Sequence, residues 1–445
     1  MNMDLTPKAI VKYLDDFIIG QNDAKKAIAI ALRNRWRRLK LEGDIREEVL
    51  PKNILLIGPT GVGKTEIARR MAKLLKLPFV KVEATKYTEV GFVGRDVESM
   101  VRDLVFDAVK IVKEEELKRQ EPELEDYICD KIADELVKRL PKGASASLTA
   151  QHKAMKEATK TRVKNGEADH LSVEIEISPK TQVEISGLDS LPPEMARLQE
   201  SLGKMFGQMN APIKKETSVK EAKELLRQEA SDRLLDMEKV RREALRRAEE
   251  GGVIFIDEMD KIALPSGAGR SGDPSKEGVQ RDLLPIVEGS GVNTKYGAIK
   301  TDHVLFIGAG AFHITKPSDL IAELQGRFPL RVEMNSLNEE DLYRILDAPK
   351  NSLVKQYVAL MRVEGAELKF DDEALRAMAK LAKQANDKTE DIGARRLHAI
   401  MEKALEEISF QADENAGKTI TITAETIHAK LDWVLDSDDA ARYIL

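Results

Sequence analysis

The sequence predicts an α/β fold in three parts: a parallel sheet layered with helices, a mostly helical insertion within it, and a mainly helical C-terminal domain. Three observations carry that expectation. The runs Ile54–Ile57, Phe79–Val82, Val253–Ile256 and Val304–Ile307 are almost entirely apolar rather than alternating, the pattern of strands buried on both faces of a parallel sheet. The alternation of such runs with helical patterns, Glu66–Leu77 first, lapses between about residues 110 and 243 and then resumes. Beyond residue 333 only helical spacing is prominent, with Leu337, Leu342, Ile345 and Leu346, then Leu375, Met378 and Leu381. The predicted boundaries are therefore 1–109 with 244–332 for the sheet domain, 110–243 for the insertion and 333–445 for the C-terminal domain.

In chain order, Thr6-Pro7 is a plausible helix start, with proline in the first turn. Asn22–Lys40 carries Ala27, Ile30, Ala31 and Leu39 at roughly helical spacing. Within the insertion, Lys142–Ser190 holds no Trp, Tyr or Phe and reads as polar and irregular, and Met205–Lys215 is rich in Gly and Met. From Val219 to Ala248 apolar residues recur in steps of three and four among Lys, Arg and Glu, which predicts one amphipathic helix or coiled-coil arm. Thr419–Thr423 is β-branched enough for a small strand.

Bulk composition narrows the function classes. The chain has 445 residues, 42% apolar and 33% charged, with a net charge of −6, so no whole-chain positive field points to nucleic acid. One cysteine, Cys129, excludes an intrachain disulfide or a cysteine-rich zinc module. Met1–Gly20 has no leader-like apolar stretch, and no run approaches the ~18 apolar residues of a membrane span. A cytoplasmic protein is the expectation.

The strongest motif is Gly58-Pro59-Thr60-Gly61-Val62-Gly63-Lys64-Thr65, a GxxxxGK[ST] loop between a predicted strand and a predicted helix. Glycines such as Gly61 and Gly63, with Val62 between them, let successive backbone N–H groups face phosphate oxygens. The following helix, opening near Glu66, adds its positive end. Lys64 brings a point charge to the β- and γ-phosphates, and Thr65 offers a hydroxyl to Mg²⁺. The cofactors so implied are ATP and Mg²⁺.

The run Val253–Ile256 ends in Asp257-Glu258. Two acids at the end of a buried strand are costly unless a cation offsets them. Asp257 is assigned to the metal, together with Thr65, and Glu258 to the attacking water. A water-activating acid beside the metal-binding one points to hydrolysis coupled to motion. Arg327, in Gln325-Gly326-Arg327-Phe328, could serve a neighbouring subunit's γ-phosphate as a finger. Arg395, in Gly393-Ala394-Arg395-Arg396-Leu397, could reach the nucleotide from the C-terminal domain. Taken alone, each arginine reads more readily as a surface residue or a helix-end partner.

The order of these motifs resembles the AAA+ family, in its Clp/Hsp100 branch. The resemblance extends along essentially the whole chain and rests also on Ile18–Gln21, Ala31–Arg38, Val82–Gly94, Glu277–Gly289, Lys316–Arg327 and Arg442–Leu445. It implies a P-loop AAA+ domain with an inserted intermediate domain and a homohexameric ring with ATP at subunit boundaries. It implies that Ile19 packs on adenine and that Glu323 lies near the nucleotide. Gly91-Phe92-Val93-Gly94 matches a pore loop that grips protein substrates, with Phe92 where tyrosine is usual. Tyr443-Ile444-Leu445 matches a tail that docks on and activates a partner peptidase. Gly308-Ala309-Gly310 lacks the polar residue found after this strand in many relatives. The reading is thus an ATP-driven protein unfoldase that does not itself cleave peptides. Two other classes compete: a nucleic-acid motor, for which only the basic run Arg33–Arg38 around Trp36 speaks, and a non-catalytic ATP-binding scaffold, against which Glu258 and Arg327 argue.

Overall fold

The computed structural model describes residues 5–49, 51–87, 95–137, 145–177, 213–265 and 274–436. Contacts divide the chain into two compact units, one of Met1–Ile111 with Arg241–Leu445 and one of Val112–Val240. No helix among the described residues is long and apolar enough to cross a membrane.

The strands, in chain order, are β1 (Ile54–Ile57), β2 (Phe79–Glu83), β3 (Ser172–Ile177), β4 (Ile213–Ser218), β5 (Val253–Asp257), β6 (Gly291–Thr294), β7 (Gly297–Lys300), β8 (Leu305–Gly310), β9 (Leu330–Glu333), β10 (Glu367–Phe370) and β11 (Thr419–Ile422). In the larger unit five of them form a sheet in the order β2-β5-β8-β1-β9, with every neighbouring pair parallel. The central strands β1, β5 and β8 are buried nearly end to end, which is why their sequences are continuously apolar. The parallel register sets Ile57 beside Gly310 and Glu83 beside Asp257. The carboxyl ends of these strands therefore open on one edge, where doubly wound sheets hold ligands.

Local signals explain the flanking helices. Pro7–Asp15 starts where predicted, with Thr6 Oγ1 accepting from Ala9 N. Asn22–Leu39 is anchored by Arg35, which is 5% exposed and donates to the carbonyls of Gly251, Gly252 and His303. Burial, reinforced by nearby Arg38, lowers its pKa to about 9. Arg38 donates to the Arg46 carbonyl, and Arg33 stacks on Trp36 at 3.5 Å. Arg35 and Arg38 of the basic run are thus engaged inside the fold, while Arg37 is exposed. The C-terminal helices Glu339–Asp347, Leu353–Val363, Asp372–Lys388, Arg395–Phe410 and Ala424–Asp436 share one hydrophobic core with the sheet layers, and β10 pairs with β11 in parallel.

The smaller unit has its own core, with Leu124, Ile128, Ile132, Val173, Ile175, Val219, Ala222, Leu226 and Ala230 buried together with Cys129. Its surface is laced with ion pairs such as Lys131–Glu229 at 2.6 Å and Lys223–Asp169 at 2.6 Å. Two sequence expectations are corrected in this region. Within the stretch read as polar and irregular, Ala146–Lys164 is a helix and Ser172–Ile177 a strand paired antiparallel with Ile213–Ser218. Val219–Ala248 is two helices, Val219–Leu234 and Met237–Gly251. Asp236 causes the break: its carboxylate accepts from the N–H groups of Glu238 and Lys239, an N-cap that starts a new helix rather than continuing the old one.

Candidate nucleotide-binding cleft

A cleft of about 860 Å³ lies at the carboxyl edge of the sheet. Gly61, Val62, Gly63, Lys64, Thr65 and Glu66 line its floor, with Asp257 and Glu258 beside them. Phe17, Ile18, Ile19, Leu337, Ile345 and Leu353 form an apolar wall. Helix Lys64–Leu75 points its N-terminus into this space, so its first N–H groups and its dipole favour an anion there.

Lys64 Nζ donates to the carbonyls of Gly58 and Pro59, both at 2.6 Å. Burial lowers its pKa, against the attraction of Asp257 and Asp260. The ammonium is thus held inside the loop that it would share with phosphates. Glu66 is turned aside to Arg69 and Arg70; burial opposes its charge, but these hydrogen bonds prevail and hold its pKa below normal.

Thr65 Oγ1 donates to Asp257 Oδ2 at 3.3 Å, and Lys81 Nζ lies 2.9 Å from the same oxygen. A hydroxyl and one carboxylate form a hard-oxygen donor pair that suits Mg²⁺, whose other positions are usually filled by phosphate oxygens and water. Glu258 leaves the strand in the left-handed region, φ 60°, a strained state of about 1–3 kcal/mol for such a residue. Its carboxylate accepts from Thr85 Oγ1 at 2.9 Å. Thr85 and Lys81 were missed by sequence reading, because neither carries a motif; only the β2–β5 pairing brings them to the acids.

The far wall comes from the C-terminal segment. The Gly61 carbonyl accepts from Ala394 N, and the glycines Gly61 and Gly393 meet back to back. A Cβ on Gly61 would fall 2.0 Å from the Ile392 carbonyl oxygen, and one on Gly393 would fall 2.7 Å from that of Thr60. This approach brings Arg395 to the cleft, where it lies close enough to Lys64 to lower the lysine's pKa. Arg396 points the other way. It is 3% exposed and donates to Asn386 Oδ1, Thr389 Oγ1 and the Glu390 carbonyl, tying down the loop that carries Gly393.

Gly308-Ala309-Gly310 is buried backbone with no polar side chain to present. A Cβ on Gly310 would fall 2.6 Å from Phe312 and 2.9 Å from Asp260 Oδ1, so the small residues answer to packing. Polar groups arrive one turn later, with His313 and Thr315 on the lining.

Glu323 and Arg327 do not join the cleft. Both are exposed on helix Ala322–Arg327, and Arg327 pairs with Glu288 at 2.7 Å. That helix is firmly seated: fully buried Gln280 donates to the Ile262 carbonyl and accepts from Ile321 N. The loop Gly91–Gly94 and the tail Tyr443–Leu445 lie outside the described residues.

Comparison with known proteins agrees with this geometry. The family model of an AAA domain (dynein-related subfamily) matches residues 53–107, and that of an AAA domain (Cdc48 subfamily) matches residues 174–334. An ATP-dependent protease ATPase subunit HslU from Campylobacter jejuni is 55% identical over 443 residues, covering 100% of both chains. The HslU subunits of two Helicobacter pylori strains are 57% and 56% identical over 100% of this chain and 99% of theirs. A P-loop floor, an acid pair and full-length identity at this level together mean that the chain belongs to the HslU family of ATP-dependent protease ATPase subunits.

Proposed function

We propose that the chain works as a homohexameric ring that hydrolyses Mg·ATP in this cleft, threads protein substrates through a central pore and delivers them to the peptidase HslV, which it also activates. The convergence of Lys64, Thr65, Asp257 and Glu258 on one edge of the sheet, facing Arg395, carries the reading.

In this reading the N–H groups of Gly61–Thr65 cradle the phosphates, and Lys64 exchanges its two carbonyl partners for phosphate oxygens. Ile18 and Ile19 pack on the adenine. Thr65 and Asp257 would hold Mg²⁺, which when bound spreads the charge of the triphosphate. Glu258 orients the water and takes its proton. Thr85 donates to one oxygen of the Glu258 carboxylate, Oε2, at 2.9 Å, which orients the acid and leaves its other oxygen for the water. Arg395 senses the nucleotide from the C-terminal side. Glu323 and Arg327, exposed on a rigid helix, face outward for use at the next subunit's site. Phe92, flanked by Gly91, Val93 and Gly94, grips the extended substrate, and Tyr443, Ile444 and Leu445 dock on HslV, where an apolar terminus with a free carboxylate suits a pocket with a cationic rim.

The test mixes full-length protein, ATP and HslV and follows cleavage of a small fluorogenic peptide. Cleavage should require all three components, and deletion of Tyr443–Leu445 should abolish it while ATP hydrolysis persists. Full activation by the shortened chain would remove the docking role, and no activation by the intact chain would remove the partnership.

A further inference from the structure

Gln21 does something that its position does not require. It precedes helix Asn22–Leu39 at φ 55°, where a capping side chain would be expected, yet its side chain makes no capping hydrogen bond. It reaches across the fold instead. Its Nε2 donates to the Asn335 carbonyl at 2.8 Å, and its Oε1 accepts from Asn335 N at 3.2 Å. A side-chain amide thus pairs with one residue's backbone in both directions, as a strand neighbour would.

The partner segment is where the sheet hands over to the C-terminal helices. Met334 N makes the last rung to the Ile57 carbonyl at 2.7 Å, and Asn338 then caps helix Glu339–Asp347. Met334 also touches the phosphate loop closely: a Cβ on Gly58 would fall 2.4 Å from its carbonyl oxygen. Two consecutive residues therefore touch segments that flank the cleft, Met334 the phosphate loop at Gly58 and Asn335, through Gln21, the turn that follows Ile18 and Ile19.

The segment that carries the apolar wall is also tied on both sides. Lys25, 1% exposed, donates to the Ile18 carbonyl at 2.6 Å and to Asp15 at 2.7 Å. Asp16 accepts from the backbone N–H and the side chain of Lys350 in the C-terminal segment, at 2.9 and 2.7 Å. Gly20 and Gln21 both lie in the left-handed region, and the amide pair to Asn335 holds this tight turn closed.

We infer that Gln21 is a positioning residue that latches the base-binding wall Ile18–Ile19 to the Met334–Asn335 junction, so that recognition of the base sets the placement of the C-terminal segment carrying Arg395. The inference rests on the reading of Ile18 and Ile19 as the adenine wall. A triphosphate lacking a base engages the phosphate loop and does not call on the latch.

The test uses the full-length protein with Gln21→Met, which keeps the bulk and loses both hydrogen bonds, and Asn335→Ala, which keeps both backbone partners. Affinity for Mg·ATP, Mg·GTP and Mg·tripolyphosphate is measured by calorimetry, with KM and kcat for ATP and the melting temperature alongside. Gln21→Met should raise KM for ATP about ten-fold, the scale of two neutral hydrogen bonds, and narrow the preference for ATP over GTP. Its tripolyphosphate affinity should stay unchanged and its melting temperature should fall only slightly, since both lost hydrogen bonds are solvent-exposed, and Asn335→Ala should match the parent throughout. Unaltered ATP affinity and base preference in Gln21→Met would overturn the inference. Equal loss for ATP and tripolyphosphate with a markedly lower melting temperature would also overturn it, by showing a structural role only. A parent chain that binds no Mg·ATP would overturn the reading of the cleft itself, and the two failures are thereby distinguishable.

Discussion

The end of β5 and helix Ala322–Arg327 both carry charged residues that the sequence associates with a nucleotide, and the fold treats them in opposite ways. Asp257 and Glu258 turn into the cleft, where Thr65, Lys81 and Thr85 already engage their carboxylates. Glu323 and Arg327 stand exposed, the arginine resting on Glu288. The difference teaches that one chain by itself brings the phosphate loop and the acid pair together in one cleft and leaves Glu323 and Arg327 outside it. Under the proposed ring, a cation seated outside its own cleft in this way is available to a neighbouring chain's site.

Substitutions at the two places should separate these roles. Glu258→Gln should slow hydrolysis by about 10⁴-fold while calorimetry shows Mg·ATP binding intact; equal turnover in mutant and parent would refute the assignment of the general base. Arg327→Ala should slow hydrolysis by about 10³-fold, again without loss of binding. Mixing the two variants sharpens the contrast. An interface with Glu258 from one chain and Arg327 from the other is complete, so the mixture should recover part of the activity that neither variant has. Strictly additive inactivity would mean that Arg327 acts within its own chain or not at all.

The smallest effect distinguishes two adjacent arginines. Arg396→Met removes three hydrogen bonds from a charged donor, one buried and two partly buried, and should destabilise the fold by about 2–4 kcal/mol. Arg395→Met, on the exposed side of the same helix start, should leave the melting temperature nearly unchanged and weaken nucleotide binding. The reverse pattern would exchange the two assignments.

How far the chain could be read follows from the range of each interaction. The phosphate loop was legible because backbone chemistry demands glycines and a lysine at adjacent positions. The central strands were legible because burial on both faces leaves no polar alternation. Asp257 and Glu258 were legible because acids at the end of such a strand call for a compensating charge. The break at Asp236 was not, since a helical apolar rhythm continues across it and only the capping carboxylate marks it.

What the sequence by itself determined was therefore local: motif, strand, helix face and the order of the parts. What only the tertiary structure decided was every partnership between distant residues. Thr85 meets Glu258 across 173 positions, Gln21 meets Asn335 across 314, and Arg395 is parted from Arg396 by the helix they begin. Such pairings depend on the order and register of parallel strands, which local composition does not encode. Burial can be inferred from one residue and its near neighbours, whereas a hydrogen-bond partner is a fact about two places in the chain at once.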